Sequence, residues 1–302
     1  MRTNRRLAAP LLAILLTAGC LQPTAGPASV RTMPAPASPL ALTLPNHPDS
    51  LKFGVIGDFG NGTRAQYELG AMMKHVHDIF PYESVITVGD NIYGSERPRD
   101  FERKFELPYK GVLDAGVKFY ASLGNHDGRE QRFYKLFNMD GQLYYTFKPD
   151  RENVRFFALE SGYLDEEQLA WIAKELSGSR EEWKITFFHH PPYSSGGRHG
   201  SSTRIREVLE PLFVKYNVDV VMTGHDHFYE RIKPQQGIVY FIVGSGGQLR
   251  RGDLRGGSAL TEKGFDTDRA FLVAEIKGDE MHFNAVSRTG QIVDAGVITR
   301  RQ

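Results

Sequence analysis

A set of polar side chains in this sequence shares one setting, at or just past the end of an apolar run. Asp58 follows residues 52–57. Asp90 and Tyr93 follow 84–89, and Asn125 and His126 follow 117–124. His189 and His190 follow 183–188, and His225 and His227 follow 218–224. Carboxylates, phenols, amides and imidazoles all bind metal ions, and neutral imidazole is the commonest protein ligand. Glycine stands directly before Asp58, Asp90, Asn125 and His225, where it permits a sharp exit from a strand and close backbone approach. Taken alone, Gly224-His225-Asp226-His227 has two readings. In extended backbone His225 and His227 point the same way and suit a metal site; equally, the segment is a turn with two solvated histidines. Five such strand ends in one domain are hard to explain as structure alone.

The elements that must position these groups follow from periodicity. Apolar, β-branched runs predict strands at 51–57, 84–88, 117–121, 144–147, 154–159, 183–188 and 218–222, and later at 238–243, 270–276, 280–286 and 291–298. Helical patterns fall at 63–79, near 99–106, at 129–138, from an Asp165 N-cap to Leu176, and at 203–215. Alternating strands and helices with a β-rich end predict an α/β layered domain of two sheets with outer helices. In such sheets ligands collect at the carboxyl ends of strands. No internal repeat is present.

Composition bounds the rest. The chain has 302 residues, 40% hydrophobic and 24% charged, with a formal net charge of +1. That balance is ordinary for a globular protein and gives no electrostatic case for nucleic acid. Arg2, Arg5 and Arg6 precede an apolar stretch, Leu7 to Ala18, too short to span a bilayer. Residues 1–20 therefore read as a signal peptide. It ends at Cys20, the one cysteine of the chain, after small residues in the manner of a bacterial lipobox. Thr17 stands where the usual Leu would be, so a simple cleaved signal is the alternative to lipid attachment at Cys20. Residues 21–50 are rich in Pro, Ala, Ser and Thr and read as an extended tether. The folded domain is expected over 51–302. The protein is thus expected to be exported, either anchored to a membrane through Cys20 or released.

Five motifs carry a resemblance. Gly57-Asp58-Phe59-Gly60, Gly89-Asp90-Asn91-Ile92-Tyr93, Gly124-Asn125-His126-Asp127, Phe187-Phe188-His189 and Gly224-His225-Asp226-His227 stand in the order of the calcineurin-like metallophosphoesterases. Within that superfamily the chain resembles the purple acid phosphatases of the tartrate-resistant kind. Most members carry Asp-x-His in the first motif. Here Gly60 takes the place of that His and Tyr93 supplies the replacement ligand, as in purple acid phosphatases. The resemblance implies a four-layer sandwich of two mixed sheets flanked by helices. It implies one metal held by Asp58, Tyr93, His227 and Asp90, and a second by Asn125, His189, His225 and bridging Asp90. The pair would be Fe3+ with Fe2+, Zn2+ or Mn2+, hydrolysing small phosphate monoesters by attack of metal-bound hydroxide. A phosphodiesterase or nucleotidase on the same site is the alternative, and a non-catalytic binding lipoprotein is a third reading. His126 and His199 would act on the substrate and leaving group.

The remaining candidates have plainer readings. In a strand His190 faces away from His189, so it packs or supports. His75 and His77 lie on a helix surface, His47 in the tether and His282 in a late strand. Residues 244–247 form a tight turn near the rim of the site. Arg250, Arg251 and Arg255 just after that turn could steer anions, but the plainer reading is a solvated loop.

Overall fold

The computed structural model describes residues 40–300; the expected leader, Cys20 and the tether up to residue 39 lie outside the described residues. In chain order the elements begin with β1 (Leu51–Ile56), α1 (Arg64–Ile79), β2 (Ser84–Val88), α2 (Pro98–Phe101), a π-helical turn at Glu102–Glu106, α3 (Lys110–Asp114) and β3 (Lys118–Ser122). Two 3-10 turns follow, then β4 (Tyr145–Phe147), β5 (Val154–Ala158), α4 (Glu166–Gly178), β6 (Trp183–Phe187), α5 (Thr203–Lys215) and β7 (Val220–Thr223). The last are β8 (Tyr229–Gln235), β9 (Ile238–Val243), β10 (Thr261–Phe265), β11 (Ala270–Lys277), β12 (Glu280–Ser287) and β13 (Ile292–Thr299).

These strands build a six-stranded sheet, β13-β12-β11-β1-β2-β3, and a seven-stranded sheet, β10-β8-β9-β7-β6-β5-β4. Each sheet is mixed. β1, β2 and β3 are parallel in the first, and β5, β6, β7 and β9 in the second; the outer strands are antiparallel. Alternation along the strands defines the layers. Phe53 and Val55 of β1 and Ile86 and Val88 of β2 meet Phe156, Phe187, Met222 and Phe241 of the other sheet in one core. Phe53 and Phe156 touch edge to face, 5.3 Å between centroids. The opposite faces pack on helices, Ile56 and Val85 against α1 and Val221 and Ile242 against α5. The result is the expected sandwich: helices, sheet, sheet, helices.

Most predicted elements stand within a residue or two of their expected positions, and Asp165 caps α4 by accepting from Gln168 N at 2.8 Å. The structure adds α3, β8 and β10. β8 reads Tyr-Glu-Arg-Ile-Lys-Pro-Gln, whose charges and Pro argue against a strand. It forms because Arg231 pairs with Asp294 at 2.8 Å and buried Glu230 accepts from Ser195 N at 2.9 Å, while the register breaks between Ile232 and Gln235, around Pro234.

The expected start of folded chain at Leu51 is corrected. Residues 40–50 lie on the domain: Leu44 is buried in the α1-side core, and Leu40 and Leu42 pack beside it. Asn46 N and His47 N both donate to the Glu275 carboxylate at 2.6 Å, and Thr43 N donates to Asn284 Oδ1 at 2.8 Å. The segment has no regular secondary structure and turns at Asn46 (φ +57°) and 48–50, but its spaced leucines still bury apolar area.

Candidate metal centre

The parallel strands β1, β2 and β3 of one sheet and β6 and β7 of the other release their carboxyl ends on one side of the sandwich. Each exit carries the predicted residues. Asp58, Asp90 and His225 adopt positive φ, +53°, +52° and +71°, a left-handed conformation that residues other than Gly rarely take. Strain of this kind gathers at functional sites and is held by surrounding contacts. Here Asp58 N donates to Gly89 O at 2.9 Å, and His225 N donates to the Asp58 carboxylate at 2.9 Å. His126 N likewise donates to Asp90 Oδ1 at 2.9 Å. The extended backbone expected at 225–227 is therefore absent. The left-handed turn at His225 leaves His225 in one group of ligand atoms and His227 in the other.

One group is rich in oxygen. Asp58, Asp90 and His227 offer ligand atoms within 4.8 Å of one another. The Tyr93 hydroxyl sits among them, donating to Asp90 Oδ2 at 2.8 Å and lying 3.3 Å from Asp58 Oδ1 and from His227 Nε2. Gly60 explains why tyrosine fills this place. A Cβ on residue 60 would lie 1.8 Å from the Asn91 carbonyl oxygen, so no histidine fits there.

The other group is rich in nitrogen. His189 Nδ1 faces the Val88 carbonyl at 3.0 Å. A carbonyl only accepts, so Nδ1 carries the proton and Nε2 keeps its lone pair. That Nε2 lies 3.0 Å from Asn125 Oδ1, 3.1 Å from His225 Nδ1 and 3.4 Å from Asp90 Oδ1. Asp90 thus reaches both groups. His190 corrects its expected orientation. Its ring lies 4.6 Å from that of His225, and its nitrogen completes a three-histidine cluster with His189 and His225. The chain turns after β6 instead of continuing extended, and Ser161 Oγ holds His190 through its backbone N–H at 3.0 Å and Nδ1 at 2.9 Å.

The electrostatics fit bound cations. Burial, then the charge of Asp90, raises the Asp58 carboxyl well above its ordinary range. Burial, with Asp58 and Asp90 beside it, raises the Tyr93 phenol as well. Among the described residues the ion-pair partners of Asp58 and Asp90 are His227 and His189. Burial, with Arg250 next, holds His227 down at about 4, and His189 is also well below the usual imidazole value. Burial and the neighbouring His189 hold His225 at about 2. Neutral imidazoles with free lone pairs around crowded buried carboxylates are a donor set that positive metal ions complete.

His126 and His199 stand at the edge. His126 is exposed, its ring 4.8 Å from Tyr93, and the His199 ring lies 4.2 Å from His225. The expectations for His75 and His77 change, since both are half-buried and His77 rests edge-on against Tyr82 at 5.1 Å. His282 pairs with Glu280 at 2.9 Å. Residues 244–247 lie against the site, Gly247 N donating to Asp58 O at 3.1 Å.

Sequence reasoning missed three supporting residues. Asp127 collects N–H groups from Asn91, Ile92, Gly124 and Gln131 at 2.8–3.1 Å, tying together the exits of β2 and β3. Buried Asp226 points away from the metal ligands and accepts from Ser194. Arg250 is half-buried, not solvated, and its N–H donates to His227 O at 3.0 Å. The placement of Asp127 and Asp226 inside ligand motifs was the available signal; for Arg250 it was the cluster of arginines after residues 244–247, read as a solvated loop.

Comparison with known proteins agrees with this geometry. The calcineurin-like phosphoesterase family model matches residues 51–229. The tartrate-resistant acid phosphatase type 5 of Oryctolagus cuniculus is 24% identical over 238 residues, 65% of this chain and 73% of that protein. The Fe(3+)-Zn(2+) purple acid phosphatase 12 of Arabidopsis thaliana is 29% identical over 221 residues, 63% of this chain and 45% of that one. The solved purple acid phosphatase PPD1 from yellow lupin (Lupinus luteus) seeds superposes with a TM-score of 0.70 at 20% identity, over 85% of this chain and 55% of that chain, which shows a shared fold. The chain belongs to the calcineurin-like phosphoesterase family.

Proposed function

We propose that this chain is an exported binuclear-metal phosphatase of the purple acid type, hydrolysing small phosphate monoesters. The observation that carries the reading is the Tyr93 hydroxyl set among Asp58, Asp90 and His227, where Gly60 leaves no room for a histidine. A phenolate is a hard anionic donor, and three anionic oxygens suit a trivalent cation. Asp58, Tyr93, His227 and Asp90 would hold Fe3+; Asn125, His189, His225 and Asp90 would hold Fe2+, Zn2+ or Mn2+. When bound, such a pair supplies Lewis acidity toward phosphoryl oxygens and activates water for in-line attack.

The chain's own residues do the rest. Val88 O fixes the His189 tautomer, and Asp127 locks the two turns that present Asp90 and Asn125. His126, exposed beside Tyr93, stands where it can donate a proton to the departing alkoxide. His199 borders the same space from the other side. Export and lipid attachment at Cys20 rest on the leader sequence.

The test is turnover of a monoester against a diester, with metal analysis on the same preparation. Iron plus a second metal, and faster monoester turnover, support the reading. Faster diester turnover would assign the site to a phosphodiesterase or nucleotidase.

A further inference from the structure

Tyr93, which carries the functional reading, has both of its backbone polar groups fixed. Its N–H donates to Gly60 O at 2.9 Å. Its carbonyl oxygen accepts from Lys104 Nζ at 2.6 Å, and the same ammonium donates to Ser95 O at 3.0 Å. Between the two carbonyls Gly94 adopts φ +78°, the left-handed region that favours glycine. One ammonium thus closes the turn that follows Tyr93.

Lys104 is only 4% exposed, and burying an ammonium is costly even when it is paired. Its ion-pair partner Asp100 stands 3.7 Å away. That carboxylate already accepts from Ser95 Oγ, Arg97 N and Arg97 Nε at 2.7–3.2 Å. The short contacts of the ammonium therefore go to the Tyr93 loop and not to the acid.

The base of the side chain is equally fixed. Lys104 lies in the π-helical turn Glu102–Glu106, where Leu107 N reaches back to Glu102 O at 2.8 Å. Such turns are rare and frequently stand at functional sites. The Lys104 carbonyl accepts from Gln66 Nε2, and Gln66 Oε1 accepts from Gly62 N at 2.7 Å in the loop after β1. Beyond Ser95 the loop reaches the exit of β3, since the Glu96 carboxylate accepts from Gly128 N at 2.6 Å and Gln131 Nε2 at 2.9 Å. Three strand exits, bearing Asp58, Tyr93 and His126, are joined through this one clamp.

We propose that Lys104 is a positioning residue whose ammonium holds the loop 93–96 so that the Tyr93 phenol stays among Asp58, Asp90 and His227. The inference rests on the ferric reading of Tyr93 above and deepens it. Lys104 acts through the backbone. Without its ammonium Tyr93 O and Ser95 O lose their common donor, the turn relaxes, and the phenol oxygen spends less time at ligand distance.

The test compares wild type with Lys104→Met, Lys104→Arg and Val112→Ala, each purified as the full chain with its bound metals. Methionine keeps much of the bulk and removes the donors, and arginine keeps N–H donors at the end of the side chain. Val112, buried in the α1-side core, reports lost packing alone. The readouts are iron content, the phenolate-to-iron band per bound iron, resistance to a chelator, and melting temperature. Lys104→Met should lose iron at about tenfold lower chelator concentration and show a weaker band per iron, and Lys104→Arg should recover part of both. Val112→Ala should lower the melting temperature and leave band and chelator resistance unchanged. An unchanged band and chelator resistance in Lys104→Met would overturn the proposal. Equal changes in Val112→Ala would also overturn it, because they would belong to lost stability. If Lys104→Met does not fold, Lys104→Gln, which keeps a donor on a shorter side chain, is read by the same criteria. A wild type that holds iron without the band, or holds none, contradicts the ferric reading and this proposal with it. A normal wild-type band that persists in the variant contradicts only the role of Lys104.

Discussion

The two halves of the site are built from different atoms. Around Asp58, Asp90, Tyr93 and His227 the donors are mainly oxygen. Around His189, His190 and His225 they are nitrogen, with the Asn125 amide oxygen beside them. Hard anionic oxygen favours a small, highly charged cation, and imidazole favours divalent ions such as Zn2+ or Fe2+. One fold thus prepares two unlike places a few ångströms apart, and Asp90 belongs to both.

Asp90→Asn breaks the comparison at its shared member. It should lower turnover on the order of 10³-fold and reduce the content of both metals. Loss of one metal with the other retained would show that Asp90 serves a single half. Tyr93→Phe acts on the oxygen-rich half alone. It should abolish any visible charge-transfer band and lower activity by roughly 10–100-fold, while the histidine-rich half keeps its ion. Absorption and metal analysis of the same sample check both points.

His190→Ala sharpens the other half. It should weaken the second metal by about tenfold and leave the ion of the oxygen-rich half in place, read by metal titration. An unchanged titration returns His190 to a packing role.

The halves also predict an acid limit. His227 and His225 have lowered values, about 4 and about 2, against an ordinary 6.5. The folded state therefore binds fewer protons than the unfolded chain below pH 6.5. The stability these groups contribute is full above that value and is lost as pH falls toward about 4 and below. Metal-free protein should lose thermal stability as pH falls from 6.5 toward about 4. Loss centred on the ordinary imidazole value would contradict the burial argument.

The smallest effect belongs to Asp127→Asn. An amide NH2 facing N–H donors should cost about 1–3 kcal/mol of stability, read by thermal unfolding, with both metals retained.

Legibility in the sequence followed burial. Strands sandwiched between a sheet and a helix layer, such as β2 and β7, are continuous apolar runs, and their Gly-led exits mark Asp58, Asp90, Asn125 and His225. β8 was hidden because its stability comes from Glu230 and Arg231 finding distant partners in Thr261 and Asp294. The packing of residues 40–50 was hidden for a similar reason, since Glu275 lies more than 200 residues away. His190 was misread because the strand period was carried past the strand's end. Arg250 stood out only as one of three clustered arginines; the fold is what brings its backbone N–H to His227 O.

Elemental analysis and visible absorption of one purified, active sample test the division of the site most directly. Two metal ions per chain, one of them iron, should accompany a phenolate-to-iron band that disappears in Tyr93→Phe. A colourless, iron-free protein with full activity would contradict the assignment of Tyr93 and the oxygen-rich half to ferric iron.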